Sequence, residues 1–117
     1  MKMLFILNDA PYGLEKTYNA LRTIMAIQKE YPETEIHVNL MADSVFAALT
    51  NQVTPSGYYN IERMLESIIK KKAQVRICTT CLQARGLFDA ELIEGIEFGT
   101  LKHLADWTMQ DDKVIVF

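Results

Sequence analysis

Cys78 and Cys81, the only cysteines in the chain, stand two residues apart in Val75-Arg76-Ile77-Cys78-Thr79-Thr80-Cys81. That spacing, placed where an apolar strand should hand over to a helix, is the strongest chemical signal in the sequence. A thiol in such a position meets backbone N–H groups that have no partner yet, and their dipoles favour thiolate. Free cysteine has a pKa near 8.5 and is only about 3 % ionised at pH 7; a shift of roughly 1.5 units, about 2 kcal/mol, would ionise half of it. Arg85, a helical turn or so further on, is expected to support that thiolate electrostatically. The bland alternative is packing, since free cysteine is among the most buried residue types.

Three chemistries compete for a working pair. Thiol–disulfide exchange fits the spacing, but thioredoxin-like proteins carry their pair near the first strand of a βαβ unit, whereas this one follows a later strand. A tetrahedral zinc site needs four ligands, and the chain offers Cys78, Cys81, His37 and His103. His37 is expected mid-strand and His103 mid-helix, both far from the thiols in sequence, so no metal site is predicted within one chain. Sulfur transfer needs least: one accessible, acidic cysteine that takes a terminal sulfur as a persulfide and passes it on by displacement at sulfur. The chain shows no Ser/His/Asp arrangement, no histidine near the thiols in sequence and no GxxxxGK[ST] phosphate loop, so no cofactor is expected.

The elements that must position these residues follow from periodicity. Met3 to Leu7 is a continuous apolar run, the pattern of a strand buried on both faces. Tyr18, Leu21, Ile24, Met25 and Ile27 predict a helix ended by Pro32. Glu35 to Met41 alternates, with Ile36, Val38 and Leu40 on one face and His37 and Asn39 on the other. Asp43 is read as an N-cap, Thr50 to Gly57 as the longest loop, and Asn60 as the cap of a helix striped by Ile61, Met64, Leu65, Ile68 and Ile69. Gln74 to Cys78 is the next strand, Leu87 to Gly99 is ambiguous, and a helix through Leu101, Leu104 and Ala105 precedes a terminal strand from Lys113 to Phe117.

Alternation of this kind predicts one domain over residues 1–117, a three-layer αβα arrangement with a mainly parallel sheet flanked by helices. Sites in such folds lie at the C-terminal ends of strands. Asn8, Asp9 and Tyr12 after the first strand, and Asp43 after the second, are therefore expected to wall a pocket beside the thiols. The Asn8 to Gly13 loop is a poor phosphate cradle, because it has one glycine and Pro11 removes a donor. Tyr58 and Tyr59 either line a pocket or pack the loop, and Trp107, on the face of His103, is expected to pack in the core.

Composition sets the outer bounds. The chain has 117 residues, half of them apolar, enough for one buried core without disulfide stapling. Twelve basic and fifteen acidic side chains leave a formal charge of −3, so neither nucleic acid nor an anionic membrane is an expected partner. No apolar run approaches the roughly 18 residues that span a bilayer, and the N-terminus does not read as a secretory signal. A cytoplasmic, reducing location is the resulting expectation.

Ala10-Pro11-Tyr12-Gly13, Leu40-Met41-Ala42-Asp43-Ser44-Val45, Gly57-Tyr58-Tyr59-Asn60-Ile61, Ile77-Cys78-Thr79-Thr80-Cys81-Leu82-Gln83-Ala84-Arg85-Gly86, and Gly99-Thr100-Leu101 through Ala105-Asp106-Trp107-Thr108 to Asp112-Lys113-Val114 together resemble the YchN-like branch of the DsrE/DsrF/TusD family. The resemblance spans essentially the whole chain. It implies a compact Rossmann/flavodoxin-like domain, assembly as trimers or hexamers, and sulfur donor and acceptor proteins as partners. It further implies that Cys78, at the family's spacing from Arg85-Gly86, carries persulfide sulfur. Cys81 has no counterpart in the TusD-type pattern, which leaves it as a resolving thiol or a disulfide partner of Cys78. A non-catalytic oligomeric binding module with structural or metal-binding cysteines, and a dithiol–disulfide oxidoreductase, stand as the alternatives.

Overall fold

A computed structural model describes residues 1–117. Five strands, β1 (Lys2–Leu7), β2 (Glu35–Leu40), β3 (Gln74–Cys78), β4 (Ile96–Gly99) and β5 (Lys113–Val116), form one sheet in the order β4-β3-β2-β1-β5. Every neighbouring pair is parallel, so the sheet is parallel throughout. Four α-helices connect the strands: α1 (Lys16–Glu30), α2 (Ile61–Lys70), α3 (Thr79–Ala84) and α4 (Leu101–Gln110). A 3₁₀ segment, Ala42–Ala48, follows β2.

The two faces of the sheet are covered unequally. In-register residues of parallel strands point to the same face, so Phe5, Val38 and Val75 form one row and Leu7, Leu40 and Ile77 the next. These rows are buried against Ala20, Leu21 and Ile24 of α1 and Ile61, Leu65 and Ile68 of α2. Each such side chain stabilises the fold by about 1.5–3 kcal/mol through the apolar surface it removes from water. The opposite face, with Leu4, His37, Asn39 and Arg76, is covered by α4. There Trp107 lies flat on His37, ring centroids 4.4 Å apart and planes within 4°, and the Arg76 guanidinium sits 4.4 Å from the Trp107 ring centre. The His37 ring is also 2.7 Å from the fully buried carboxylate of Asp111.

Local chemistry explains the helix starts. The Asn60 side chain accepts from the Arg63 N–H and caps α2, as its residue type predicts. Thr100 and His103 form a reciprocal capping pair at the start of α4, which places His103 in the first turn instead of mid-helix. Asp43 is not a cap: the 3₁₀ segment begins after Met41, without a side-chain cap, and Asp43 lies inside its first turn. The ambiguous stretch before Gly99 becomes the short edge strand β4, preceded by irregular chain that makes an isolated antiparallel bridge, Leu49 to Leu92.

Candidate functional site

β3 ends at Cys78, and α3 begins on the next residue. Cys78 is the N-cap of α3, and its Sγ accepts the Cys81 N–H at 3.3 Å, where a serine or aspartate oxygen would ordinarily sit. The Thr80 hydroxyl lies 3.3 Å from the same sulfur. Burial pushes the Cys78 thiol upward, but contact with the Cys81 thiol, the Thr80 hydroxyl and the backbone N–H groups of Cys81 and Thr80 outweighs it. The net pKa lies below that of an ordinary thiol.

Cys81 moves the other way. Burial and its contact with Cys78 raise its pKa, against the opposing pull of the Ala42 N–H and the positive charge of Arg85. The Ala42 N–H donates to Cys81 Sγ at 3.3 Å. It does so from a left-handed backbone, φ 51°, which costs an alanine roughly 1–2 kcal/mol. The two thiols are free and half-buried. The pair is therefore asymmetric, with the anion favoured on Cys78 and the proton on Cys81.

Arg85 faces Cys81 and Asp43. Its Nε donates to the Asp43 carboxylate at 2.9 Å and its Nη1 donates to the Cys81 carbonyl at 3.1 Å. The contacts of the guanidinium thus tie α3 to the 3₁₀ segment, and the groups that lower the Cys78 pKa are hydrogen-bond donors.

A cavity of about 440 Å³ opens beside the thiols, lined by Asn39, Met41, Cys78, Thr79, Thr80, Cys81, Gly99, Thr100, Leu101 and Leu104. Parallel register explains the grouping: Cys78 pairs with Gly99, and Asn39 pairs with Arg76, one step below Cys78 on the same face. The Thr79 hydroxyl donates to the Gly99 carbonyl at 3.0 Å and holds the start of α3 against the end of β4. Gly99 keeps the wall thin, because a Cβ there would stand 3.2 Å from the Arg76 Cβ.

Asn8, Asp9, Tyr12 and Asp43, expected as pocket walls, do not line this cavity. The Asn8 amide donates to the Phe117 carbonyl, and the Asp9 carboxylate pairs with Lys16 at 3.6 Å. The Tyr12 hydroxyl donates to Gln52 and accepts the Ile61 N–H, in an aromatic stack with Tyr58 and Tyr59. These residues lie at the same end of the sheet but brace other elements: Asn8 the C-terminal Phe117, Asp9 the start of α1, Tyr12 the long loop and α2, and Asp43 the end of α3. The walls that sequence reasoning missed are Asn39, Met41 and the Gly99 to Leu104 stretch. Alternation in β2 had set Asn39 on the face opposite the core; its nearness to Cys78 required the strand order. No group of three or more His, Cys, Asp and Glu side chains is arranged to hold a metal ion.

A parallel αβα sheet with paired, unequal thiols and a small cavity at its strand ends defines a cysteine-centred α/β protein. The family model described as the DsrE/DsrF-like family matches residues 1–117, and the chain belongs to that family. It is 40 % identical to Protein YchN of Escherichia coli over 116 residues, 99 % of this chain and 98 % of that protein. An uncharacterized protein of Methanocaldococcus jannaschii is 34 % identical over the full length of both chains. The crystal structure of the Escherichia coli YchN protein superposes with a TM-score of 0.94, covering 99 % of this chain and 98 % of that one. A protein of unknown function from Methanobacterium thermoautotrophicum, 11 % identical, shares the fold with a TM-score of 0.81 over 99 % of this chain and 98 % of that one.

Proposed function

We propose that the protein is a sulfur carrier in which Cys78 is the nucleophile. Its thiolate attacks the terminal sulfur of a donor persulfide, the donor leaves as a thiolate, and Cys78 then holds the sulfur until an acceptor thiolate takes it. The observation that carries this reading is Cys78 Sγ at the α3 N-cap, receiving the Cys81 N–H at 3.3 Å and facing a cavity. Displacement at sulfur needs no oxyanion hole and no strong acid, and the site supplies neither. Membership of the DsrE/DsrF-like family agrees with sulfur relay. Cys81, kept protonated, hydrogen-bonds Cys78 and serves as a secondary thiol.

The chemistry suits a reducing cytoplasm, with donor and acceptor proteins as partners and the chain assembled as a trimer or hexamer. No helix is long and apolar enough to cross a membrane. The test loads the reduced protein with polysulfide or a cysteine desulfurase and reads one added sulfur on Cys78 by mass spectrometry; equal labelling of Cys78→Ser refutes the assignment. Light scattering that finds a monomer at working concentration removes the assembly.

The nearness of the two sulfurs favours one second reading, dithiol–disulfide exchange. Insulin reduction that depends on both Cys78 and Cys81 would place it first.

A further inference from the structure

The wall of the cavity beside Cys78 contains no charged side chain. Met41, Leu101 and Leu104 supply its apolar surface. Its hydroxyls are already committed: Thr79 to the Gly99 carbonyl, Thr80 to Cys78 Sγ and Thr100 to the His103 backbone. Two cations flank the thiols along the chain: Arg85 is occupied by Asp43 and the Cys81 carbonyl, and Arg76 lies against the Trp107 ring, outside the cavity lining. One polar side chain remains. Asn39 is only 4 % exposed as a residue and lines the cavity, and its amide, tied to no other side chain or carbonyl, opens into that space.

Those features discriminate between guests. A space of about 440 Å³ falls in the size range of small-molecule sites, roughly 300–1,000 Å³. A charged guest would lose its water without gaining a counter-ion, and an anion would in addition face the Cys78 thiolate. An apolar body against Met41 and Leu104 meets no such penalty.

We propose, building on the sulfur-carrier reading, that beside its protein donor the cavity accepts a low-molecular-weight hydropersulfide with an uncharged, apolar body as a second sulfur donor, and that the Asn39 amide donates to the transferred sulfur. In the reaction the Cys78 thiolate attacks the outer sulfur of R–S–SH. The R–S to S bond breaks and a Cys78 Sγ–S bond forms. The departing R–S⁻ takes the proton of the transferred sulfur, leaving R–SH and Cys78–S–S⁻. One sulfur changes hands, charge is conserved, and no external oxidant or reductant enters. The Asn39 N–H₂ then donates to an anionic sulfur, a stronger acceptor than cavity water.

The experiment compares benzyl hydropersulfide with glutathione hydropersulfide on the reduced full chain. Initial rates of sulfur gain at Cys78 are read by mass spectrometry, each divided by the rate of the same donor with a free small-molecule thiol. The expected result is roughly tenfold or greater preference for the benzyl donor. Equal normalised rates, preference for glutathione, or loading by neither donor overturns the guest class; loading by neither donor together with none from a cysteine desulfurase overturns the carrier reading as well. Leu101→Lys, at a position 78 % exposed and so tolerant of charge, is expected to narrow the preference about threefold or more. An unchanged ratio in a folded Leu101→Lys protein counts against the cavity as the donor site. Asn39→Leu is expected to shorten the lifetime of the Cys78 persulfide while sparing the alkylation rate of the bare thiol, and an unaltered lifetime removes the amide from the proposal.

Discussion

Replacing Thr80 with valine removes one of the donors that lower the Cys78 pKa and leaves the sulfur, the cap geometry and the cavity shape in place. The Thr80 hydroxyl lies 3.3 Å from Cys78 Sγ, a long contact on a half-buried group. A charge-assisted hydrogen bond discounted for that exposure stabilises the thiolate by about 1 kcal/mol, or roughly 0.7 pKa units. The sign is fixed: the hydroxyl favours the anion, so its loss raises the Cys78 pKa. Well below the Cys78 pKa the thiolate fraction falls about fivefold, while the more basic thiolate becomes intrinsically about twofold more nucleophilic, for a net slowing of roughly two- to threefold. Well above the pKa, at the alkaline plateau of the profile, only the second effect survives, and the variant should react about twofold faster. The assay is the initial rate with a neutral disulfide reagent from pH 5 to 10, wild type against Thr80→Val, with the product assigned to Cys78 by peptide mass. Two profiles that never cross, or a wild-type midpoint at the ordinary value near 8.5, would refute the account of how the main chain and Thr80 activate this thiol.

Arg85→Ala should separate the guanidinium from Cys78 activation: the rate midpoint of Cys78 is expected to move little, while the Cys81 pKa rises further because a nearby positive charge is lost, as read by parallel thiol titration of single-cysteine variants. Asn60→Ala deletes the α2 cap and is expected to lower stability by about 1 kcal/mol in urea denaturation, without altering the Cys78 profile. Leu65→Ala opens a cavity between α2 and the sheet and should cost about 2–5 kcal/mol by the same measurement. Gly99→Val brings a side chain toward Arg76 and is expected to slow loading from a bulky donor more than from inorganic polysulfide, measured as the ratio of the two rates.

Much of the fold was legible because the strong elements announce themselves. The uninterrupted Met3 to Leu7 run, the alternation of β2 and the α2 stripe with its Asn60 cap all follow from burial on two faces, on one face, and along one helix side. β4 was not legible, since a four-residue edge strand with exposed Glu97 and Phe98 carries no periodic signal. Asp43 misled for a related reason: a carboxylate after a strand reads as a cap, and only the tertiary contact with Arg85 shows that its partner lies 42 residues away. The thiol pair and its strand-to-helix setting were plain from type and spacing. The walls were not, because Asn39 and Gly99 come beside Cys78 through strand order and register, and neither is a local property of the chain.

The reactive sulfur and the far side of its chamber are made at different moments. Cys78 leaves the ribosome some twenty residues ahead of Gly99 to Leu104, the stretch that completes the wall, and that stretch holds its place through Trp107 on His37 and the Asp111 carboxylate on the same ring. Until α4 docks, the cap N–H already polarises the thiol, but nothing screens what reaches it. The same holds in the mature protein whenever this single covering helix lifts away, so the opening equilibrium of α4 sets how often the sulfur meets unselected solutes. On the proposed reading, selectivity belongs to the last helix and reactivity to the middle of the chain.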